Sequence, residues 1–335
     1  MNHFKRQFVR GAQVTAVIQA LLCLLPALNV NAEELAANAL PTDGQVVAGD
    51  AHITTDHSNP NAPVLNVNQA SQRAVVNWYK FDVGSNATVN FNQPNAQAST
   101  LNRVTSGSIS KIMGKINAPG EVVIVNPSGV YFTPGGNVDV GAIVATTHDT
   151  SNADYMAGKA TYDRNGATGK VINEGNIKTA LGGYVALLAP EVRNAGVIVA
   201  QMGTVVMAAG ERITLNFDPS RHLASITATP SAIDALIENK SAVKVPGGLI
   251  ILSARAVNTL TAGVIKNSGT LTASADSLGL VRQGGRIMLS ANNVKLEAGS
   301  QTVARGPDAG GKIEVAAAQN VTVEQGARLS VSATE

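Results

Sequence analysis

Short runs of Val, Ile, Leu and Ala, separated by Gly, Asn, Asp and Pro, recur from Gln45 onward. Apolar runs of this length bounded by turn residues predict short strands rather than helices. The clearest case is 121–145, EVVIVNPSGVYFTPGGNVDVGAIVA. Val122, Val123, Ile124 and Val125 form a strand that runs into Asn126-Pro127-Ser128-Gly129. Val130, Tyr131 and Phe132 leave at once as a second strand, and Pro134-Gly135-Gly136-Asn137 turns the chain again before a third. An Asn side chain bonds its own backbone two residues on, Pro127 fixes φ at the first corner, and Gly129 permits a close exit. On its own an Asn-Pro-x-Gly turn is a well-made β-turn and nothing more.

The same pattern predicts strands at 45–48, 52–54, 64–68, 74–78 and 87–91, with Trp78 and Phe81 as core residues. Residues 33–44 are polar and Ala-rich and read as loosely ordered. Leu101 to Val104 and the stretch 109–116 read as further strands. The polar segment 146–170 reads as a loop with one helical turn near 151–157, capped by Ser151 with Asp154 three residues on. Residues 212–217 and 223–228 read as a hairpin about Asp218-Pro219-Ser220-Arg221. Ser231-Ala232-Ile233-Asp234 resembles a capping box, with Ile233, Leu236 and Ile237 on one helical face. On this reading 211–245 is an excursion, and the regular pattern resumes at Gly247.

The pattern is also repetitive. Val171-Ile172-Asn173-Glu174-Gly175-Asn176-Ile177 returns at 192–198 and 265–271, and Gly175 and Gly196 lie 21 residues apart. Paired glycines open another echo at Gly182-Gly183, Gly247-Gly248, Gly284-Gly285 and Gly310-Gly311. A strand-turn-strand repeat of this period indicates a solenoid, and one coil of a parallel β-helix takes roughly 20 residues as about three strands. Inward Val, Ile and Leu then stack on their counterparts, contributing about 1.5–3 kcal/mol each when fully buried. Asn173, Asn194 and Asn267 fall at equivalent turns, where stacked amides add about 1 kcal/mol each. The fold class expected is all-β: a parallel β-helix with an N-terminal β cap and hairpin excursions.

Composition agrees. With 32 Gly and 4% aromatic residues among 335, the chain suits stacked short strands better than a sandwich or barrel. The N-terminus is a targeting segment: Lys5, Arg6 and Arg10 precede a mostly apolar stretch at 14–28, and Val30-Asn31-Ala32 supplies a small-x-small cleavage pattern. That stretch is short for a membrane span and Gln19 interrupts it. Cleavage after Ala32 removes three cations and no acid, taking the net charge from +2 to −1. No basic field then remains to attract nucleic acid or an anionic membrane. Cys23, the single cysteine, leaves as well. The mature chain has no disulfides, so packing and hydrogen-bond ladders must hold it, and it is free to cross a second membrane unfolded. A strand-like stretch at 329–331 ends the sequence with no capping element, so the expectation is the front part of a longer protein or an unusually short relative.

Chemistry is sparse. β-Helix enzymes such as polysaccharide lyases and pectinases need acids and bases clustered on one coil face. Here Asp139, Asp149 and Asp154 are scattered and read as solvated loop residues. The five histidines show no metal-ligand spacing, and neither a phosphate loop nor a Ser/His/Asp set is present. A binding role without cofactor or metal is expected, with a carbohydrate-active lyase or pectinase as the alternative.

The ordered set of signal, β-rich N-terminal region, Val76-Asn77-Trp78-x-x-Phe81-Asp82-Val83-Gly84, Leu101-Asn102-Arg103-Val104 and Val125-Asn126-Pro127-Ser128-Gly129-Val130 closely resembles the haemagglutination-activity, or two-partner secretion, domain of filamentous haemagglutinin and high-molecular-weight adhesins. The resemblance covers roughly residues 45–247. It implies a right-handed parallel β-helix exported by the Sec machinery to the periplasm of a Gram-negative bacterium. There an outer-membrane β-barrel transporter with POTRA domains recognises it and threads it out, to the surface or the medium. The family's Asn-Pro-Asn-Gly secretion turn maps to Asn126, Pro127, Ser128 and Gly129, with Ser128 where Asn is commoner. A second family motif, Asn-Pro-Asn-Leu, has no clear counterpart: Asn59-Pro60-Asn61 is followed by Ala62, which fits the adhesin branch. Asn102 is expected at a turn and Arg103 in an ion pair, with transporter contact as a secondary role for both. The resulting division is a signal at 1–32, a secretion domain at 33–246 and the first stalk coils at 247–335. Adhesin, haemophore-like scavenger and contact-dependent toxin carrier are all compatible with it, each binding a host or neighbouring cell through further C-terminal regions.

Overall fold

A computed structural model describes residues 35–257, 262–275 and 281–333. The targeting segment and Cys23 lie outside the described residues.

The chain winds as a parallel β-helix of three faces. On the first face Val64–Gln69 pairs in parallel with Thr88–Asn92, and the stack continues through the front half of Lys115–Val125, Asn137–Thr146, Asn176–Thr179 and onward to Arg328–Ser330. The second face runs from Arg73–Trp78 through Ser99–Val104, the back half of Lys115–Val125, Tyr184–Leu188, Thr204–Ala209 and Leu249–Ala254 to the front halves of Arg286–Leu296 and Lys312–Val323. The third holds Ser110–Ile112, Gly129–Phe132, Lys170–Asn173, Glu191–Asn194, Ala235–Asn239 and Gly263–Asn267. Inward side chains from all three faces form one continuous core, with Trp78 and Phe81 packed edge to face at 5.7 Å near its N-terminal end.

The first coil would otherwise present bare strand edges. Gln45–Ala48 closes one by pairing antiparallel with Arg73–Trp78, and Ala51–Asp56 closes the next against Val64–Gln69. The stretch that reads as loosely ordered is instead tied down from residue 35. Ala37 and Ala39 carbonyls accept from Asn86 and Gly84 N–H, and Thr42 bridges Lys80. Backbone pairing with the first coil supplies an order that composition does not reveal.

Two excursions leave the second face. The segment 147–169 carries the short helix Asn152–Met156, whose Ser151 hydroxyl accepts from Asp154 N–H, and the strand Thr161–Asp163. The segment 210–234 carries the hairpin Arg212–Phe217 and Leu223–Ala228, and Thr161–Asp163 adds to it as a third antiparallel strand. Both lie over the outer side of the second face, burying Val123, Val125, Val144, Ala186, Leu188 and Val206 against Tyr155, Tyr162, Ile213 and Leu215. Covered on both sides, the strands of that face need no polar positions, which is why they read as unbroken apolar runs.

Other expectations fail as well. No helix starts at Ser231: Ala235–Asn239 is a strand, with Ala235, Ile237 and Asn239 inward, held between Glu191–Asn194 and Gly263–Asn267. Parallel pairing on both edges overrides a local helical pattern. The coil therefore resumes at Ala235 rather than Gly247. Asn102 is not at a turn but inside Ser99–Val104, fully buried.

The paired glycines mark the corner from the first face to the second. A Cβ at Gly203 would lie 1.8 Å from the Gly183 carbonyl oxygen, and one at Gly248 or Gly285 would meet the preceding coil's glycine oxygen at 2.1 or 2.0 Å. Backbones approach too closely there for any side chain.

Candidate functional site

Asn126-Pro127-Ser128-Gly129 forms the corner from the second face to the third. Gly129 N–H donates to the Asn126 carbonyl at 2.9 Å, closing the turn, and Ser128 N–H donates to Asn126 Oδ1 at 3.0 Å. Asn126 Nδ2 donates to the Ser108 carbonyl and the Ser110 hydroxyl, both at 2.9 Å, and its own N–H donates to Thr146. Every polar group of Asn126 is thus used inside the protein, and its relative exposure is 0%. Gly129 has φ +124°, and a Cβ on it would lie 2.7 Å from the Lys170 carbonyl oxygen. Asn126 and Gly129 build the corner, while Pro127 is exposed and Ser128 half-buried.

Beside the corner lies a groove of about 480 Å³, lined by Ile109, Pro127, Val130, Tyr131, Ile172 and the returning arm of the first excursion at 166–170. Ile109 is half exposed, at 50%. The charges at its margin are matched within the chain. Lys170 Nζ lies 2.8 Å from Glu191, and the Tyr131 hydroxyl donates to Glu174, which pushes the phenol up to about 12. Burial alone would raise Glu191, but bonds from Lys170 and Arg193 hold its carboxyl below the usual range. The site is apolar, shallow and electrically quiet.

Asn102 and Arg103 do not reach this groove. Asn102 Oδ1 accepts from the Trp78 indole N–H at 3.0 Å, and Nδ2 donates to the Thr100 and Val123 carbonyls at 3.2 Å. Arg103 ties down the first excursion: Nε contacts both Asp149 oxygens at 3.0 and 3.1 Å, Nη1 donates to Asn152 at 2.7 Å, and Nη2 to the Thr150 carbonyl at 2.6 Å. The other two acids considered for catalysis also sit in ion pairs, Asp154 with Lys159 and Asp139 with Lys178. Among the described residues no three of His, Cys, Asp and Glu come together as a metal site would require.

Asn173, Asn194 and Asn267 are the last residues of their strands, not turn residues, and they are buried. A fourth, Asn239, joins them. Nδ2 of each donates to Oδ1 of the next at 2.8 Å, from Asn173 through Asn194 and Asn239 to Asn267. The sequence hides Asn239 because its repeat unit, Leu236-Ile237-Glu238-Asn239-Lys240, lacks the following Gly.

His148 is a further residue that sequence reasoning misses. Buried at the departure point of the first excursion, it places Nε2 2.7 Å from the Gly210 carbonyl, where the second departs. Burial pushes its imidazole below the ordinary value.

The comparisons agree with this architecture. A family model described as "TPS secretion domain" matches residues 35–278. Two curated relatives, both heme/hemopexin-binding proteins of Haemophilus influenzae, are 31% identical over 269 residues and 30% over 259. These matches take in 78% and 70% of this chain but only 28% and 27% of the relatives, so the chain spans less than a third of their length. Among solved structures, the secretion domain of HMW1 from Haemophilus influenzae aligns with TM-score 0.70 at 24% identity, over 88% of this chain and 85% of that one. The filamentous hemagglutinin secretion domain aligns with TM-score 0.51 at 17% identity, over 88% and 99%. At those identities the structures speak to the fold alone. The family model covers most of the coiled region, and the chain belongs to the TPS secretion domain family, the modules by which exoproteins of Gram-negative bacteria use a dedicated outer-membrane transporter to cross the outer membrane.

Proposed function

We propose that the corner at Pro127 and Ser128, with the groove beside it, is the surface by which the transporter's periplasmic POTRA domains select this chain. The observation that carries the reading is the division of labour within the turn: Asn126 is spent on the coil, while Pro127 and Ile109 face outward beside an apolar groove. Because the marginal charges are paired internally, the groove suits an apolar side chain better than an ion. In this reading 1–32 directs Sec export, 33–246 is recognised, and 247–335 begins a stalk. Asn102 and Arg103 then serve the fold rather than the transporter. The exported protein acts by binding, as a haemagglutinin-like adhesin.

Purified chain and the transporter's POTRA domains, titrated by calorimetry, test the recognition step. The variant Ile109→Asp/Pro127→Ala should bind at least about tenfold more weakly, the effect of losing one well-packed apolar contact. Equal affinity with an unchanged melting curve would move recognition elsewhere.

Heme or hemopexin capture is the second reading, favoured by the names of the two relatives. Among the residues lining the groove only Tyr131 is of a type that ligates haem iron, and its hydroxyl is already bonded to Glu174. A Soret shift on titrating hemin into this chain would support that reading for the module itself.

A further inference from the structure

One interior column runs along the third face. It begins with Val83, Ile112 and Phe132, passes through Asn173, Asn194, Asn239 and Asn267, and ends with buried Leu296 and with Val323, which is 51% exposed on the last coil, each paired with the next. The change from apolar to Asn and back follows the route of the chain. Ile112 and Phe132 are reached through the corners 105–109 and 126–128. Leu296 and Val323 lie in Arg286–Leu296 and Lys312–Val323, strands that run through the corner unbroken. Asn173 and Asn239, by contrast, end the strands by which the chain returns from the excursions 147–169 and 210–234. Asn267 ends the strand that follows the link after Ala254. Asn194 has only residues 189–190 before its strand, but it stands between Asn173 and Asn239 and bonds both.

We propose that the four asparagines are a register key, which makes each strand that returns from outside the coil settle in a single alignment. A short corner leaves no slack, so its strand has one place to go. An excursion leaves slack, and a slip of two residues keeps every inward position inward, so burial alone does not choose between alignments. In Ala235–Asn239, a two-residue slip sets Ile237 where Asn239 belongs and leaves the buried Nδ2 of Asn194 without its acceptor. Buried polar groups that select register while adding little stability are a known device of coiled coils. The ladder even tolerates an unmet acceptor: Oδ1 of Asn173, against Phe132, has no partner among the described residues.

Disulfide trapping reads the register directly. Arg193 and Glu238 are outward partners on adjacent strands, a spacing a disulfide spans, whereas Arg193 and Leu236 come opposite only after a two-residue slip. In the full chain carrying Cys23→Ser, the pairs Arg193→Cys/Glu238→Cys and Arg193→Cys/Leu236→Cys are oxidised after refolding. The parent should yield the first cross-link alone. Adding Asn239→Leu should raise the second at least about tenfold, because Asn194 Nδ2 then lacks its acceptor in either alignment, while the melting temperature falls for the same reason. Moving the key, with Ile237→Asn and Asn239→Ile together, should make the slipped cross-link the main product. Native cross-linking alone in both variants overturns the proposal. Failure of both to fold overturns it as well, because the asparagines would then be needed for stability and not for choice of register.

Discussion

Asn126 Nδ2 lies 2.9 Å from the hydroxyl oxygen of Ser110, one coil toward the N-terminus. The side chain that names the secretion turn is therefore a bracket between coils. Asn126→Ala removes this bond, the bond to the Ser108 carbonyl, and the acceptor for Ser128 N–H. A cost of about 1–3 kcal/mol is expected, because buried groups lose their partners. Urea unfolding of the two chains measures it directly. A secretion defect in this variant accordingly mixes folding with recognition, whereas Pro127 and Ile109 probe recognition alone.

Arg103 holds the first excursion through Asp149, Thr150 and Asn152. Its side chain is only 17% exposed, so Arg103→Met leaves these groups poorly compensated. The expected loss is about 1–3 kcal/mol, with the excursion affected more than the coil. Hydrogen exchange should accelerate in 147–169 before it does in Tyr184–Leu188. Uniform acceleration would contradict the assignment.

His148 gives the fold a pH dependence of known sign. Its buried imidazole resists protonation below the ordinary value of 6.5, with Arg164 opposing the charge and Glu211 and Asp163 favouring it to a lesser degree. Below about pH 6.5 the unfolded chain takes up a proton that the folded chain refuses, so stability falls as pH falls through that window and is fully present above it. The urea midpoint should drop between pH 7.5 and 5.5, and His148→Gln should flatten the slope. An unchanged slope would place the titration elsewhere.

At Gly203 a Cβ would meet the Gly183 oxygen at 1.8 Å, and the next nearest atoms are also Gly183 backbone, so no side chain is there to yield. Gly203→Ala should cost about 3 kcal/mol or more. Gly107, with open space around it, should accept the same change within about 0.5 kcal/mol. Thermal unfolding of the pair separates the two cases.

The coil, the hairpin at Arg212–Phe217 and Leu223–Ala228, and the Ser151 cap were legible because each rests on local pattern: alternation, turn residues and an interval of three. What stayed hidden depends on partners distant in sequence. Ile237 alternates inward like any strand residue, but with Ile233 and Leu236 it also fits a helical face, and only flanking strands decide. Gly141 and Gly203 belong to the same column as the paired glycines yet stand alone in the sequence. Likewise Asn126 reads as an exposed turn residue until Ser108 and Ser110 arrive from the preceding coil. The groove is invisible for the same reason, since Ile109, Pro127 and Ile172 come from three successive coils.

The most direct test of transporter recognition at the Pro127 corner is secretion itself. The chain is co-expressed with its transporter, and wild type is compared with Ile109→Asp/Pro127→Ala after circular dichroism and melting curves establish that both fold alike. Wild type in the medium, with the variant retained in the periplasm, is the expected result. Equal release of the two folded proteins would contradict the account, leaving the turn as a corner of the coil and nothing more.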